Sequence, residues 1–187
     1  MRIFLLCFCS VIIGNCKAQQ VPGYIVNTEN DTLKGMVDVR GVGMLYQQVR
    51  FIYSGKDYKI MPGEILGYGF TKNNKQYCFE STFSKWSRLL ILKKRILFLQ
   101  VLERGTIGCY KYDGDLDDVI DNPYTFFYKD DKVEYMKADD IKFLQQMRTL
   151  FADDALMLEK LGREGYKKAD IIKMLHEYNI RKTYKTI

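Results

Sequence analysis

Five aspartates fall within nine residues of one connection: Asp113, Asp115, Asp117, Asp118 and Asp121. They begin as Asp-x-Asp-x-Asp, the spacing by which an oxygen cage turns successive carboxylates toward one hard cation, which makes the segment a candidate calcium loop. It departs from the EF-hand pattern at two places. Asp118 stands where that turn needs Gly, and Tyr124 where it needs a bidentate Glu, so a site here would be irregular and weak, in the millimolar range of extracellular modules. The plainer alternative is a solvated acidic loop held extended by its like charges.

A second constellation is cationic. Lys85, Arg88, Lys93, Lys94 and Arg95 lie in a stretch with no acid between Glu80 and Glu103, interleaved with Trp86 and the run Leu89 to Leu92. Such a patch would attract an anionic partner, lipid headgroups or acidic polysaccharide. It reads equally as a charged turn and a guarded edge strand, where Lys and Arg discourage sheet-to-sheet association, and the second reading is preferred. The 14 tyrosines, many on strand-like segments, offer stacking platforms for sugar rings or simply suit half-buried strands.

Catalytic motifs are missing. There is no Gly-x-Ser-x-Gly elbow, no His-Glu-x-x-His and no P-loop, and Gly41-Val42-Gly43 lacks the third Gly of a dinucleotide fingerprint. The single histidine, His176, follows Leu175 on an apparent helix and reads as a surface or boundary residue; one His cannot supply a multi-His zinc site. Carboxylate-only chemistry such as glycoside hydrolysis needs just two acids at the right separation, and 23 acidic residues can provide a pair. Asp31-Thr32-Leu33 and Asn30-Asp31-Thr32 fit glycosylation patterns, though a hairpin turn explains the same residues.

The amino terminus carries an address. Met1 and Arg2 make a minimal positive region, Ile3 to Gly14 an apolar run of 12 residues, and Cys16-Lys17-Ala18 a small-x-small cleavage site before Gln19, so residues 1–18 read as a secretory signal peptide. A lipoprotein variant, with lipid on Cys16, is weaker because Asn15 stands where a small residue is wanted. Removing this segment takes Arg2 and Lys17 with it and lowers the formal charge by two, from +6 to +4. That excess is too small and dispersed for a nucleic-acid footprint. Three of the five cysteines leave as well, which leaves Cys78 and Cys109. An exported chain is exposed to oxidation, and a bridge between them would close a loop of 32 residues, provided their strands are neighbours.

The elements that would position these groups follow from periodicity. A chain of 187 residues with 47% hydrophobic and 28% charged residues can bury a core and is neither disordered nor fibrous, and beyond the first 14 residues no apolar run could span a bilayer. From Gly23 to about Lys137, short β-prone runs alternate with turn chemistry: Thr28 to Asp31, Ser54-Gly55-Lys56, Lys72-Asn73-Asn74-Lys75, Arg104-Gly105 and Asp130-Asp131. About ten short strands at hairpin spacing predict an antiparallel β sandwich or open barrel. Past Lys137 the period changes to that of helices. Asp139 and Asp140 open a helix with Ile141, Leu144, Met147 and Phe151 on one face; Asp153 caps a second with Leu156, Leu158 and Leu161 inward; Ala169 to Tyr178 makes a third with Ile171, Ile172, Leu175 and Tyr178 on one face, stopped by Asn179, before a mobile basic tail from Arg181. The class is therefore α+β: a signal peptide at 1–18, an antiparallel β domain at 19–137, and a packed appendage of three short helices at 138–187.

Three pieces together resemble a set of uncharacterised exported proteins common in Bacteroidetes: Gly23-Tyr24-Ile25 followed by Asp31-Thr32-Leu33-Lys34-Gly35, then Ile65-Leu66-Gly67-Tyr68, then Phe151 to Leu161 with Asp170 to Asn179. The resemblance covers most of the mature chain. It implies an extracytoplasmic address in a Gram-negative envelope (periplasmic, outer-membrane-associated or secreted) and a β region followed by short helices; it carries no catalytic residue. The expectation is a non-catalytic binding or structural module whose partner is an envelope protein or glycan, with no cofactor beyond the calcium of the aspartate loop. A carboxylate-dependent envelope hydrolase is the alternative. The two differ in whether acids converge inside a cleft.

Overall fold

The computed structural model describes residues 19–40, 45–81, 96–112, 124–130 and 132–185. Ten strands run β1 Gln20–Val26, β2 Thr32–Asp38, β3 Val49–Tyr53, β4 Lys56–Ile60, β5 Gly67–Lys72, β6 Lys75–Ser81, β7 Phe98–Glu103, β8 Gly108–Tyr112, β9 Tyr124–Lys129 and β10 Lys132–Tyr135. They form one antiparallel sheet in the order β10-β9-β8-β7-β6-β5-β1-β2-β3-β4, with no pairing between its two ends. The sheet is open, and C-terminal helices follow it, in agreement with the class read from the sequence.

Local chemistry makes the hairpins. Ser54 and Gly55 both take positive φ, as do Asn73 and Asn74. Two such residues in succession give the two-residue turn whose twist matches that of paired strands, and Gly and Asn pay least for it. At the β1–β2 turn the Asn27 side chain accepts from the backbone N–H groups of Glu29 and Asp31 at 3.1 and 2.7 Å. The connection from β4 to β5 is not a hairpin. It carries the chain back so that β5 pairs with the free edge of β1, which brings the first strand into the interior of the sheet.

Residues paired across strands share a face. Ile25, Val37, Phe51, Tyr68, Phe70 and Phe79 are buried together on one of them. Phe79 is central there, stacked on Tyr68 at 4.6 Å and edge-on to Tyr46 at 5.6 Å. Aromatic contacts of this kind add about 0.5–1.5 kcal/mol each beyond the area they bury. Buried Tyr68 also donates its hydroxyl to the Leu45 carbonyl at 2.6 Å, and this fastens the Leu45–Tyr46 segment over the rings.

The helices are α1 Asp140–Leu150, α2 Ala155–Lys160 and α3 Ile171–Lys185, with a 3-10 turn at Lys168–Asp170. Helix α3 lies against β7 and β8. A second core joins Ile107, Cys109 and Phe127 of the sheet region to Phe143, Met147, Met157, Met174 and Leu175 of the helices. Among the described residues no helix is long and apolar enough to cross a membrane.

Three expectations about the helices need correction. Asp139 stands at the start of α1, as expected, and its side chain accepts from Lys142 N–H, but Phe143, Gln146, Met147 and Leu150 face inward and Ile141 is 70% exposed. Gln146 explains the rotation: it accepts from Lys137 N–H and donates to the Tyr135 carbonyl and the Glu134 carboxylate, satisfying the frayed end of β10. In α2 the cap is Asp154 and not Asp153, and one residue turns a helix by about 100°, so Met157 is buried while Leu156 faces solvent. Helix α3 does not stop at Asn179, and Ile172 is exposed. The helix runs on because the Asn179 side chain is occupied with the sheet, and the expected mobile tail is helical to Lys185, held by Arg181 on Asp154 and Lys182 on Asp153.

Several of these ties are acid-sensitive. The Arg40 guanidinium bonded to Asp38 holds that carboxyl below the usual range. Burial alone would raise Asp153 and Glu177, but hydrogen bonds from Lys182, Tyr178 and Lys129 to the first, and from Lys160 and Tyr166 to the second, outweigh it and lower both. A depressed folded-state value contributes stability fully above the unfolded value of about 4 and loses it as pH falls through the folded value. Melting temperature is thus expected to hold from pH 7 to about 5 and to fall progressively below pH 4; a melting temperature that rises between pH 5 and pH 3 contradicts this.

Candidate functional site

The aspartate loop (Asp113, Asp115, Asp117, Asp118, Asp121), the basic cluster (Lys85, Arg88, Lys93, Lys94, Arg95) and Cys16 with the signal segment all lie outside the described residues. The strand ends leading into the first two are described. Ser81 pairs with Phe98 and Tyr112 with Tyr124, and since Gln100 pairs with Lys111 both connections leave from one end of the sheet. Among the described residues no three His, Cys, Asp or Glu side chains come close enough to hold a metal ion. Thr32 is exposed at the start of β2, just past the Asn27 turn.

Cys78 and Cys109 are described, and both are free. Cys78 is on β6 and Cys109 on β8, with β7 between them. Two strand spacings of about 4.8 Å exceed the roughly 7 Å that Cα atoms of a disulfide tolerate. Their surroundings differ too: the Cys78 thiol lies 3.4 Å from the Tyr24 hydroxyl, and Cys109 is in the helix-facing core. The bridge suggested by export is therefore absent in this arrangement. Burial, then the nearby Glu103 charge, pushes the Cys109 thiol up to about 12. We expect iodoacetamide to label Cys78 in the native protein and Cys109 only after unfolding; equal labelling of both at once would contradict this placement. His176 is a surface residue, as expected, with Nδ1 3.1 Å from a Glu103 carboxylate oxygen.

Among the described residues, three concavities are places where a ligand could sit. The largest, about 700 Å³, lies between the start of α1 and the turn before α3, lined by Met136, Phe143, Leu144 and Ala169 with Asp140, Lys167 and Lys168. Lys168 is fixed there by donating to the Ala138 carbonyl at 2.6 Å.

The second, about 300 Å³, crosses β1, β5 and β6 beside Arg104. Its floor is low because β5 has Gly67 and Gly69 here: a Cβ on Gly69 would lie 2.6 Å from the Tyr24 ring. Glu80 accepts from Arg104 Nε at 2.8 Å and from the Tyr110 hydroxyl at 3.1 Å. Burial and then the Cys78 hydrogen bond raise Tyr24 to about 12, and burial followed by the Glu80 charge raises Tyr110 well above 10. Both phenols stay protonated at neutral pH, and act as donors and not as bases.

The third, about 380 Å³, lies over the aromatic face, lined by Tyr46, Phe70, Tyr77 and Phe79 with Lys72, Lys75, Gln100 and Lys111. Phe70 and Tyr77 stack at 5.1 Å, and the Lys75 ammonium stands 5.4 Å from the Tyr77 ring centre.

Hydrolysis by paired carboxylates requires two acids about 5–10 Å apart across a cleft. Among the described residues the groove has Glu80 alone, already held by Arg104 and Tyr110, the helical pocket has Asp140 alone, and the aromatic basin has no carboxylate. The tyrosines stood out in the sequence as stacking platforms, but none of the charged lining groups did. Lys72 and Lys75 read as hairpin grammar and Arg104 as a turn residue, because what gathers them is pairing among β5, β6, β7 and β8, and no short spacing records that. Comparison of the chain with protein-family models, with curated proteins and with solved structures returned no match.

Proposed function

We propose that this chain is an exported, non-catalytic module of a bacterial envelope that binds a protein or glycan partner or supports assembly there. One observation supports the non-catalytic part: among the described residues, each of the three concavities is walled mainly by aromatic, aliphatic and cationic side chains, with one carboxylate or none. Such walls hold a ligand; they offer no acid and base to exchange protons across a scissile bond. The Met1 to Ala18 segment supports the export part. The calcium loop is kept within this reading as a weak accessory site at Asp113, Asp115, Asp117 and Asp121.

The full chain, expressed in a Gram-negative host, should be recovered from the envelope or medium with Gln19 as its first residue by mass spectrometry. Incubation with envelope polysaccharides should release no new reducing ends. Intact Met1 in the cytoplasm overturns the address, and sugar release overturns the non-catalytic reading in favour of the hydrolase.

A further inference from the structure

We propose that the aromatic basin over β5, β6, β7 and β8 binds a carboxylate-bearing sugar unit of an acidic glycan, an inference that rests on the binding-module reading and names its ligand. Three lysines from three different strands, Lys72, Lys75 and Lys111, line one concavity that has no carboxylate among its described lining residues. The partners of the first two are neutral. Lys72 donates to the Gln19 amide oxygen at 3.0 Å, and Lys75 rests over the Tyr77 ring. Neither contact cancels charge. Several acids of the described residues are paired with other cations: Asp38 and Asp57 with Arg50, Glu80 with Arg104, Glu103 with His176, Glu177 with Lys160. Positive charge over walls of Phe70, Phe79 and Tyr46, which are nearly inaccessible to water, is focused and not screened, and draws an anion in.

The rest of the lining selects among anions. A volume of about 380 Å³ fits a small unit and not an extended nucleic-acid track, being near the lower end of ligand cavities. Ammonium groups are single point charges suited to one carboxylate, whereas the bidentate fork that favours phosphate is not among the described lining groups. The Gln100 amide supplies both a donor and acceptors for ring hydroxyls. Half-buried Tyr77 offers an apolar flank to the C–H face of a sugar, with Lys75 beside it for the carboxylate.

The test is calorimetric titration of the purified chain with polygalacturonate, with neutral dextran, dextran sulfate and inorganic sulfate as separate arms. Polygalacturonate should bind with an affinity that falls as salt rises, and dextran should not bind. The triple variant Lys72→Gln, Lys75→Gln, Lys111→Gln should weaken binding at least tenfold, about 1.4 kcal/mol. A control triple of equal charge change, Lys56→Gln, Lys59→Gln, Lys132→Gln, should bind as the parent does. Should the first triple variant melt early, Lys75→Gln alone, an exposed hairpin position, carries the same comparison.

Equal binding of dextran, displacement by inorganic sulfate at matched charge, preference for dextran sulfate, or equal loss in the control triple each overturns the proposal. Reducing ends are counted in the same mixtures. Cleavage would overturn the non-catalytic reading while leaving the basin's ligand standing; absence of both binding and cleavage would overturn the basin alone.

Discussion

Replacing Arg181 by Ala is expected to lower stability clearly, the largest loss anticipated from any single cation among the described ion pairs. Arg181 contacts Asp154 through Nε at 2.8 Å and a terminal guanidinium nitrogen at 3.0 Å. The Asp154 side chain is 1% exposed. It also caps α2, accepting from Leu156 and Met157 N–H. With the guanidinium gone, the carboxylate stays buried and loses both guanidinium hydrogen bonds, and removing one partner of a buried ion pair is what makes breaking it costly. The neighbouring tie is the internal control. Lys182 reaches Asp153 at 2.6 Å, but Asp153 is half exposed and water can replace the ammonium. Lys182→Ala should therefore cost less than about 1 kcal/mol. Urea unfolding of both variants reads the difference as a shift in midpoint at constant slope; an Arg181→Ala variant as stable as Lys182→Ala would show that the buried pair contributes nothing special.

Asn179→Ala is expected to have the next largest effect, on the order of 2–3 kcal/mol, and to act on the joint between helices and sheet. From α3 the Asn179 side chain accepts from Ile107 N–H at 2.9 Å and donates to the carbonyls of Arg104 and Ile107 at 3.1 and 3.0 Å. One amide thus satisfies three backbone groups of the β7–β8 turn. Ile107 is fully buried, so no water replaces the lost acceptor, and an unsatisfied buried donor costs its whole desolvation. The turn is shaped for this contact: Gly105 has φ +143°, and a Cβ there would fall 2.4 Å from the Asn179 side-chain carbon Cγ. Gly105→Ala should accordingly destabilise to a similar degree. Hydrogen exchange separates the joint from general loss, since in Asn179→Ala protection should drop first at Ile107 and along α3 while β1 to β5 keep theirs. Uniform loss across the sheet would contradict a local joint.

The sequence by itself determined the grammar of this protein. Ser54-Gly55 and Asn73-Asn74 dictate hairpins because positive φ is a property of the residues in the turn, and period-two runs dictate strands because alternate side chains point to opposite faces. The switch to helix after Lys137, and Asp139 as a cap, are equally local. Partnership is not. That β5 joins β1, that β7 separates Cys78 from Cys109, and that the 72, 75 and 111 lysines line one basin follow from which strand edges meet, and residues 30 or more apart leave no periodic trace of their meeting. The same reason governs the buried polar residues of the helices. Gln146, Asp154 and Asn179 sit on buried faces where composition predicts apolar side chains, because each answers backbone groups or a charge brought alongside by the tertiary fold. Apolar burial is readable from spacing since it is non-directional; a hydrogen bond needs a partner at one distance and angle, and only the folded chain supplies it.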